Sequence, residues 1–259
     1  MDSPLDIPSF KRLLSTETLG RRFEHHESIG STQDRARELA EAGAEEGTAI
    51  FAEEQTAGRG RLGRGWESPP RQNLYLTLVL RPPAVALRSL SMLAPLAVAE
   101  AVEAVTGLSP DIKWPNDMLL NGRKLAGVLI DSQVVGPDAY TLVGIGVNVN
   151  LEPALYPPIA GIATSLRAEL GREVAREPLL AELLGRLERL YQALLAGESP
   201  HEAWRARLVT LGQRIQVRHG DTVEAGVAED VNAEGALMLR RDDGSLLVLD
   251  AGEVTLDVR

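Results

Sequence analysis

An Asn-Gly dipeptide places the tightest constraint on the fold of this chain. Asn121-Gly122 lies between the apolar runs Met118-Leu119-Leu120 and Lys124 to Ile130, and Asn-Gly is typical of the two-residue turns that join antiparallel strands. The sequence therefore predicts a β-hairpin at this position. Apolar runs and alternation predict three more strands, at 48–54, 74–80 and 140–150.

Helical periodicity recurs around these strands. Apolar residues at helical spacing predict helices over three segments, 31–43, 87–105 and 179–195. Ser31 is a typical N-cap for the first, and Pro95 should kink the second or move its start. Ser199-Pro200 is typical of a further helix start, with the proline at the first helical position. We therefore predict an α+β fold, with a mixed or antiparallel central sheet flanked by helices.

The pattern changes after about Thr210. Short apolar segments follow one another, separated by turns such as Asp243-Gly244. They predict strands at 215–217, 222–227, 237–239, 246–249 and 254–256. A unit of about 50 residues is close to the lower size at which a domain folds alone, so we expect it to pack on the rest of the chain. The predicted domains are 1–209 and 210–259.

Composition excludes several classes of site. The chain has no cysteine and four histidines without the spacing of a zinc site, which excludes disulfides, thiolate metal centres and a cysteine nucleophile. The formal net charge of −10 opposes general attraction to nucleic acid. No apolar run approaches the ~20 residues that span a bilayer. We expect a cytoplasmic protein that binds neither membrane nor DNA.

A glycine-rich basic loop at 58–65, called here the arginine loop, is the first candidate site. Gly58-Arg59-Gly60-Arg61-Leu62-Gly63 matches the dinucleotide fingerprint, but Pro69-Pro70 follows where that motif opens a helix, which argues against a Rossmann site. Glycines allow close backbone approach to a ligand, and arginines can surround an anion. We expect the loop to be mobile when empty and ordered by ligand. A solvated basic loop and an RNA-binding patch are the alternatives.

Lysine is scarce in this chain, and two of its three lysines lie on either side of the Asn-Gly turn. A lysine supplies a compact, mobile charge that the planar arginine group cannot imitate, so Lys113 and Lys124 are candidates to bind a carboxylate or a phosphate. Asp117 can hold a divalent ion that accompanies a nucleotide. Trp114, next to Lys113, is more typical of core packing.

Small residues mark two further segments. Ala126-Gly127 removes side-chain bulk, as close approach of a ligand requires. Gly144 to Asn150 alternates apolar residues with glycine and asparagine, so one face of a strand packs and the other is nearly bare. This pattern favours either a floor for a nucleotide or a strand that ends in an asparagine turn.

Four segments together resemble biotin protein ligase, that is, biotin–[acetyl-CoA-carboxylase] ligase, in their order and spacing. They are QTAGRGRLGRGW at 55–66, KWPND at 113–117, RKLAG at 123–127 and GIGVNVN at 144–150. The resemblance runs from about Glu27 to the C-terminus. It implies a class II synthetase-like catalytic domain followed by a small SH3-like β-barrel, in the form of the enzyme that lacks an N-terminal DNA-binding domain.

The resemblance also implies a two-step reaction. ATP and biotin, with Mg²⁺, give biotinyl-5′-AMP and pyrophosphate. A lysine of the biotin carboxyl carrier domain of acetyl-CoA carboxylase then accepts the biotin and AMP is released. Homodimers built by pairing sheet edges occur in the family, so a homodimer is one expected assembly.

Matching positions carry the family's site residues over to this sequence. Catalytic roles are implied for Lys124, Arg59 and Asp117, and Asp117 is also the implied magnesium ligand. Contacts with biotin are implied for Ser31, Thr32, Gln33, Gln55, Arg59, Gly60, Arg61 and Lys124. Contacts with ATP or the adenylate are implied for Arg59, Arg61, Arg64, Trp66, Lys113, Asn116, Asp117, Lys124 and Asn148.

Two positions depart from the family pattern. Leu62 stands where relatives often have a basic residue, and Asp131 stands where a glutamate is usual, which leaves loop dynamics and dimerisation open. A lipoate ligase shares the implied fold and the adenylate chemistry, but the polar residues at 31–33 and Gln55, with the arginine loop, favour biotin. A non-catalytic module that binds RNA or a protein partner is the alternative from another class.

Overall fold

A seven-stranded sheet forms the centre of the larger domain. The computed structural model describes residues 3–133, 139–220 and 222–256. The strands of this sheet are β1 (Phe23–His26), β2 (Ala49–Ala52), β3 (Leu74–Leu80), β4 (Asp111–Lys113), β5 (Asp117–Leu120), β6 (Arg123–Gln133) and β7 (Tyr140–Val147). Their spatial order is β1-β2-β3-β7-β6-β5-β4. Only β1 and β2 pair in parallel among the described strands, so the sheet is mixed as predicted.

The predicted hairpin is the β5–β6 pair. Asn121 has a φ of 50° and Gly122 a φ of 74°, which is the left-handed backbone that both central residues of a type I′ turn require. The strands predicted at 48–54 and 74–80 are confirmed as β2 and β3, and the strand predicted at 140–150 ends earlier, at Val147.

Helices cover the faces of the sheet. They are α1 (Ile7–Leu13), α2 (Thr32–Glu41), α3 (Leu90–Thr106), α4 (Leu166–Leu170), α5 (Arg176–Leu195) and α6 (His201–Arg205). The predicted cap is confirmed, because the Ser31 side chain accepts a hydrogen bond from the Gln33 N–H. Pro95 does not set the start of α3, which begins ahead of it at Leu90. Pro200 is the N-cap of α6 rather than its first residue.

The first thirty residues contain structure that the sequence did not reveal. Helix α1 and strand β1 form there although the apolar pattern is weak. Phe10 of α1 packs edge-on against Phe23 of β1 and Phe51 of β2, with ring centroids 5.7 and 5.5 Å apart. Strand β1 lies at the sheet edge and is half-buried at all four residues, so it lacks the alternation by which strands are recognised.

A five-stranded antiparallel sheet follows, as the changed pattern after Thr210 predicted. Its strands are β8 (Arg214–His219), β9 (Thr222–Val231), β10 (Leu237–Arg240), β11 (Leu246–Leu249) and β12 (Glu253–Leu256), in the order β11-β10-β9-β8-β12. Trp114 of the larger domain is buried against it and donates from its indole nitrogen to the Gly235 carbonyl, at 2.9 Å. The smaller sheet therefore packs on the larger domain as expected.

No helix in the described residues is long and apolar enough to cross a membrane. The described residues ahead of β1 form only α1 and its flanking segments, with no separate DNA-binding domain.

A buried ion pair connects the end of β2 with the start of α5. The Arg176 guanidinium donates to the Glu53 carboxylate at 2.7 Å, and the two side chains are 5% and 0% exposed. Glu53 also accepts from the Leu5 N–H, at 2.7 Å, and is 2.8 Å from His25 Nε2. Burial alone would raise the pKa of Glu53, but these donors together keep it below its ordinary value.

We predict that Arg176→Met lowers the free energy of unfolding by about 3–5 kcal/mol, because it leaves a buried carboxylate without its ion partner. Urea denaturation at neutral pH measures the loss. Arg189→Met is the control, since Arg189 is 57% exposed in its pair with Glu100 and should cost less than about 1 kcal/mol.

The sign of the pH dependence follows from Glu53. A carboxylate with a depressed pKa stabilises the native protein fully above its unfolded pKa and loses that contribution as the pH falls through the folded value. The difference in free energy of unfolding between Arg176→Met and the native protein should therefore shrink below pH 4.5, the ordinary pKa of a glutamate. An equal difference at neutral and acidic pH would contradict this account.

Candidate functional site

One cavity of about 560 Å³ lies between the open face of the larger sheet, the arginine loop and the start of β12. Every residue predicted to bind biotin or ATP lines it. They are Ser31, Thr32, Gln33, Gln55, Arg59, Gly60, Arg61, Arg64, Trp66, Lys113, Asn116, Asp117, Lys124 and Asn148. These positions are spread over residues 31–148, and the fold brings all of them to one place.

One end of the cavity is a neutral polar pocket at the N-terminus of α2. The Gln55 side-chain oxygen accepts from the Thr32 N–H at 2.9 Å and from its hydroxyl at 3.0 Å. The Thr77 hydroxyl donates to the Thr32 hydroxyl at 2.9 Å. Among the described residues, the buried Gln33 Nε2 finds no hydrogen-bond acceptor. A buried donor without a partner is costly, so a carbonyl brought into contact with this amide would supply the acceptor that it lacks.

Glycines form the floor between β6 and β7. Gly127 and Gly146 are direct cross-strand partners, and the Trp66 indole lies over them. A Cβ atom on Gly146 would come within 2.6 Å of the Trp66 ring, and one on Gly144 within 2.5 Å of the Gln33 side-chain oxygen. Close approach of these side chains to the strand therefore requires glycine at both positions.

The arginine loop folds back over the cavity as a short hairpin. The Gly60 N–H donates to the Arg64 carbonyl at 2.8 Å, and the Trp66 N–H donates to the Gly58 carbonyl at 2.9 Å. Leu62, at its tip, is 72% exposed and has a φ of 57°. The position that departs from the family pattern is therefore largely exposed at the mouth of the cavity, which it also lines.

Each arginine of the loop has a different partner. Arg59 pairs with Asp34 of α2, Arg64 pairs with Glu253 of β12, and Arg61 donates to the Asn116 side-chain oxygen at 3.0 Å. Burial lowers the pKa of Arg61. The loop is thus connected to three separate parts of the chain. Asp34 and Glu253 were not anticipated as partners, because no local pattern relates them to arginines so distant in sequence.

Lys124 and Asp117 form an ion pair inside the cavity. The Lys124 ammonium is 2.6 Å from Asp117 Oδ1, and the two side chains are 32% and 22% exposed. The same ammonium lies 5.2 Å from the centre of the Trp66 ring, close enough for a cation–π contact. A positive charge therefore lies between the glycine floor and the Asp117 carboxylate.

The two asparagines predicted beside a nucleotide hold main-chain groups. Asn116 donates from its amide to the Val128 carbonyl at 2.6 Å, while its oxygen accepts from Arg61. Asn148 donates to the Thr164 carbonyl at 3.0 Å. Both residues line the cavity, and the hydrogen bonds fix their amide groups in place.

Comparison with known proteins agrees with this geometry. Residues 26–148 match the biotin/lipoate A/B protein ligase family, and residues 210–257 match the biotin protein ligase C-terminal domain. The biotin–[acetyl-CoA-carboxylase] ligase of Paracoccus denitrificans is 40% identical over 79% of this chain and 88% of its own length. That of Mycobacterium tuberculosis is 35% identical over 97% of this chain and 95% of its own length.

The chain belongs to the biotin protein ligase family. A solved relative is the biotin protein ligase from Aquifex aeolicus in complex with biotin and ATP, with a TM-score of 0.78 and 29% identity over 91% of this chain and 98% of that one. The mixed sheet and the separate C-terminal antiparallel sheet are thus those of the family fold, as the resemblance implied.

The second position that departs from the family pattern, Asp131, takes part in an ion pair. Asp131, on β6, pairs with Arg37 of α2, which also contacts Asp34 at 3.2 Å. Asp34 in turn pairs with Arg59 of the arginine loop. Alternating charges thus connect β6 through α2 to the arginine loop.

We predict that Gly146→Ala displaces Trp66, because the new methyl group would overlap the indole ring. The expected results are a shift of tryptophan emission to longer wavelength and a loss of about 1–3 kcal/mol in stability from overpacking. Gly161→Ala is the control, since it lines the same cavity but its Cβ would meet open space. The emission shift should disappear when Trp66→Phe is combined with Gly146→Ala. If it persisted there, Trp66 would not be its source.

Proposed function

We propose that this protein activates biotin with ATP to biotinyl-5′-AMP and transfers the biotin to a lysine of a carrier domain. The observation that carries the proposal is the cavity itself, in which a neutral polar pocket and a cluster of cations lie at the two ends of one glycine floor. The family and the relatives named biotin–[acetyl-CoA-carboxylase] ligase support it.

The neutral end suits the ureido ring of biotin. A ureido group offers one carbonyl acceptor and two N–H donors, and the pocket of Ser31, Thr32, Gln33 and Gln55 offers hydroxyls and amides of both kinds. The free Gln33 amide is a donor for the carbonyl. No charge is needed at this end, which agrees with a neutral ring.

The charged end suits two anions that repel each other. One biotin carboxylate oxygen attacks the α-phosphorus of ATP, the bond to the bridging oxygen breaks, and pyrophosphate leaves. Lys124, Arg59, Arg61 and Arg64 line the cavity, and the proposed meeting place of these groups lies among them. Cations held in position there reduce the repulsion and stabilise charge in the transition state. Lys113 and Trp66 line the same region and are proposed to contact the adenylate.

The donor set fits magnesium that arrives with the nucleotide. The described residues contain no cluster of three or more acidic or histidine side chains that could form a complete metal site. Magnesium is commonly held by one or two carboxylates together with substrate phosphates, and Asp117 is the carboxylate beside Lys124. Bound there, the ion would neutralise phosphate charge.

The second step needs an amine that enters from outside. The deprotonated lysine of the carrier attacks the acyl carbon of the mixed anhydride, an amide forms, and AMP leaves. The names of the relatives make the carrier domain of acetyl-CoA carboxylase the proposed acceptor. We also propose residues 1–209 as the catalytic domain and 210–259 as the small C-terminal domain.

A carrier-labelling assay tests the proposal. The protein is incubated with labelled ATP, a carrier domain, and either biotin or lipoate. Biotin-dependent release of pyrophosphate and a mass gain on one carrier lysine are expected. Labelling by lipoate alone would support a lipoate ligase, which the matched family includes by name. RNA retention without either activity would support the non-catalytic alternative.

We predict that Lys124→Ala lowers biotin-dependent pyrophosphate release by at least about a hundredfold, because it removes the lysine that pairs with Asp117 inside the cavity. Lys11→Ala is the matched control, since Lys11 lies over the Phe23 ring and does not line the cavity. Circular dichroism should show both variants folded. Near-native release by Lys124→Ala would remove this residue from the mechanism.

A further inference from the structure

Strand β6 is irregular next to Lys124, which lines the cavity. Met118 of β5 pairs with Ala126, but the next residue, Leu119, pairs with Lys124. Leu125 therefore has no partner in β5, which defines a β-bulge. The bulge interrupts the regular pairing of the strand directly beside Lys124.

The bulge changes the face on which Lys124 lies. In a regular strand, residues 124 and 126 share one face, and Ala126 is buried in the core with Leu125. Because of the extra residue, Lys124 lies instead on the face of Gly127 and lines the cavity with it. Without the bulge the ammonium would point into the apolar core.

Strand β6 pairs with β7 only from Ala126 onward, so on that side the main chain of Lys124 needs other partners. Its N–H donates to the Ile162 carbonyl at 2.8 Å, and its carbonyl accepts from the Thr164 N–H at 2.9 Å. Both partners belong to the segment between β7 and α4. The position of Lys124 therefore depends on the position of that segment.

Glu169 of α4 holds this segment and the hairpin together. Its carboxylate accepts from the Thr164 hydroxyl, from the Asn121 amide at 2.6 Å and from Arg123 at 2.8 Å. Thr164 belongs to the segment that bonds the Lys124 main chain, and the other two donors precede Lys124 in the hairpin. The Glu169 carboxylate thus connects the two segments that hold Lys124 in place.

The environment of Glu169 is that of a fixed anion. Its side chain is 8% exposed, and it does not line the cavity. Burial alone would raise its pKa, but the bonds from Thr164, Asn121 and Arg123 keep the pKa below its ordinary value. The carboxylate stays charged at neutral pH and keeps all three donors.

We infer that Glu169 is a positioning residue for the activation step, which holds the bulged start of β6 so that the Lys124 ammonium faces the substrates. This role rests on the proposed function. Glu169 acts through Lys124 and touches no substrate itself.

The test compares Glu169→Gln with Glu188→Gln. Glu188 is a matched control, because it is similarly buried, accepts from the main-chain N–H groups of Glu17, Thr18 and Leu19, and does not line the cavity. Glu169→Gln should lower kcat for biotin-dependent pyrophosphate release about tenfold, with KM for biotin changed less than twofold, because displaced groups lose transition-state contacts. Glu188→Gln should leave both constants unchanged.

A double-variant comparison separates positioning from general stability. Glu169→Gln should weaken equilibrium binding of biotinyl-5′-AMP about fivefold when Lys124 is present and not at all in a Lys124→Ala background. An equal loss in both backgrounds, or an unchanged kcat, would overturn the positioning role. If Glu169→Gln does not fold, Thr164→Val removes one donor and should lower kcat about threefold; an unchanged kcat there would likewise overturn it.

The outcomes also separate this inference from the proposed function. If the native protein releases no pyrophosphate with biotin, the proposed function fails and the inference fails with it. If the native protein is active and Glu169→Gln matches it, only the positioning role fails.

Discussion

The ion pair between Lys124 and Asp117 is the interaction on which the arrangement of this site depends. A chain with a net charge of −10 must concentrate positive charge locally if it is to hold anions. It does so by placing Lys124 and three arginines around one cavity, and by giving each cation an oxygen partner. These oxygen partners keep the cations in place, and a more highly charged anion can still replace them.

Glycines on two strands leave the space in which these charges are arranged. The cross-strand pair Gly127 and Gly146 allows the Trp66 ring to lie against the sheet. The ring in turn faces the Lys124 ammonium. Removing side-chain bulk from two strands therefore lets one aromatic ring contact both the floor of the cavity and Lys124, so the packing and the electrostatics of the site depend on the same glycines.

Local patterns in the sequence were sufficient to predict the hairpin at Asn121-Gly122, the buried strand 74–80, the long helix α5 and the change to short strands after Thr210. Each depends on residues close together in the chain. Strand β1 was missed because an edge strand with uniform half-burial has no alternation. The partners Asp34, Glu253 and Glu169 were missed because their contacts join segments far apart in sequence, which only the folded sheet brings together.

The smaller sheet contributes to the site because two different contacts fix it there. Trp114, in the motif that also supplies Lys113 and Asp117, donates to Gly235 in the connection between β9 and β10, while Glu253 at the start of β12 pairs with Arg64. Gly252 lies beside Trp114 as well, since a Cβ on it would be in ordinary contact with that ring, at 3.5 Å, while overlapping Val217 of the smaller sheet at 2.5 Å. A shift of the smaller sheet would therefore move a partner of the arginine loop and the neighbour of Lys113 together. Residues of both domains thus form the charged end of the cavity, whereas the neutral pocket at 31–33 belongs to the larger domain alone.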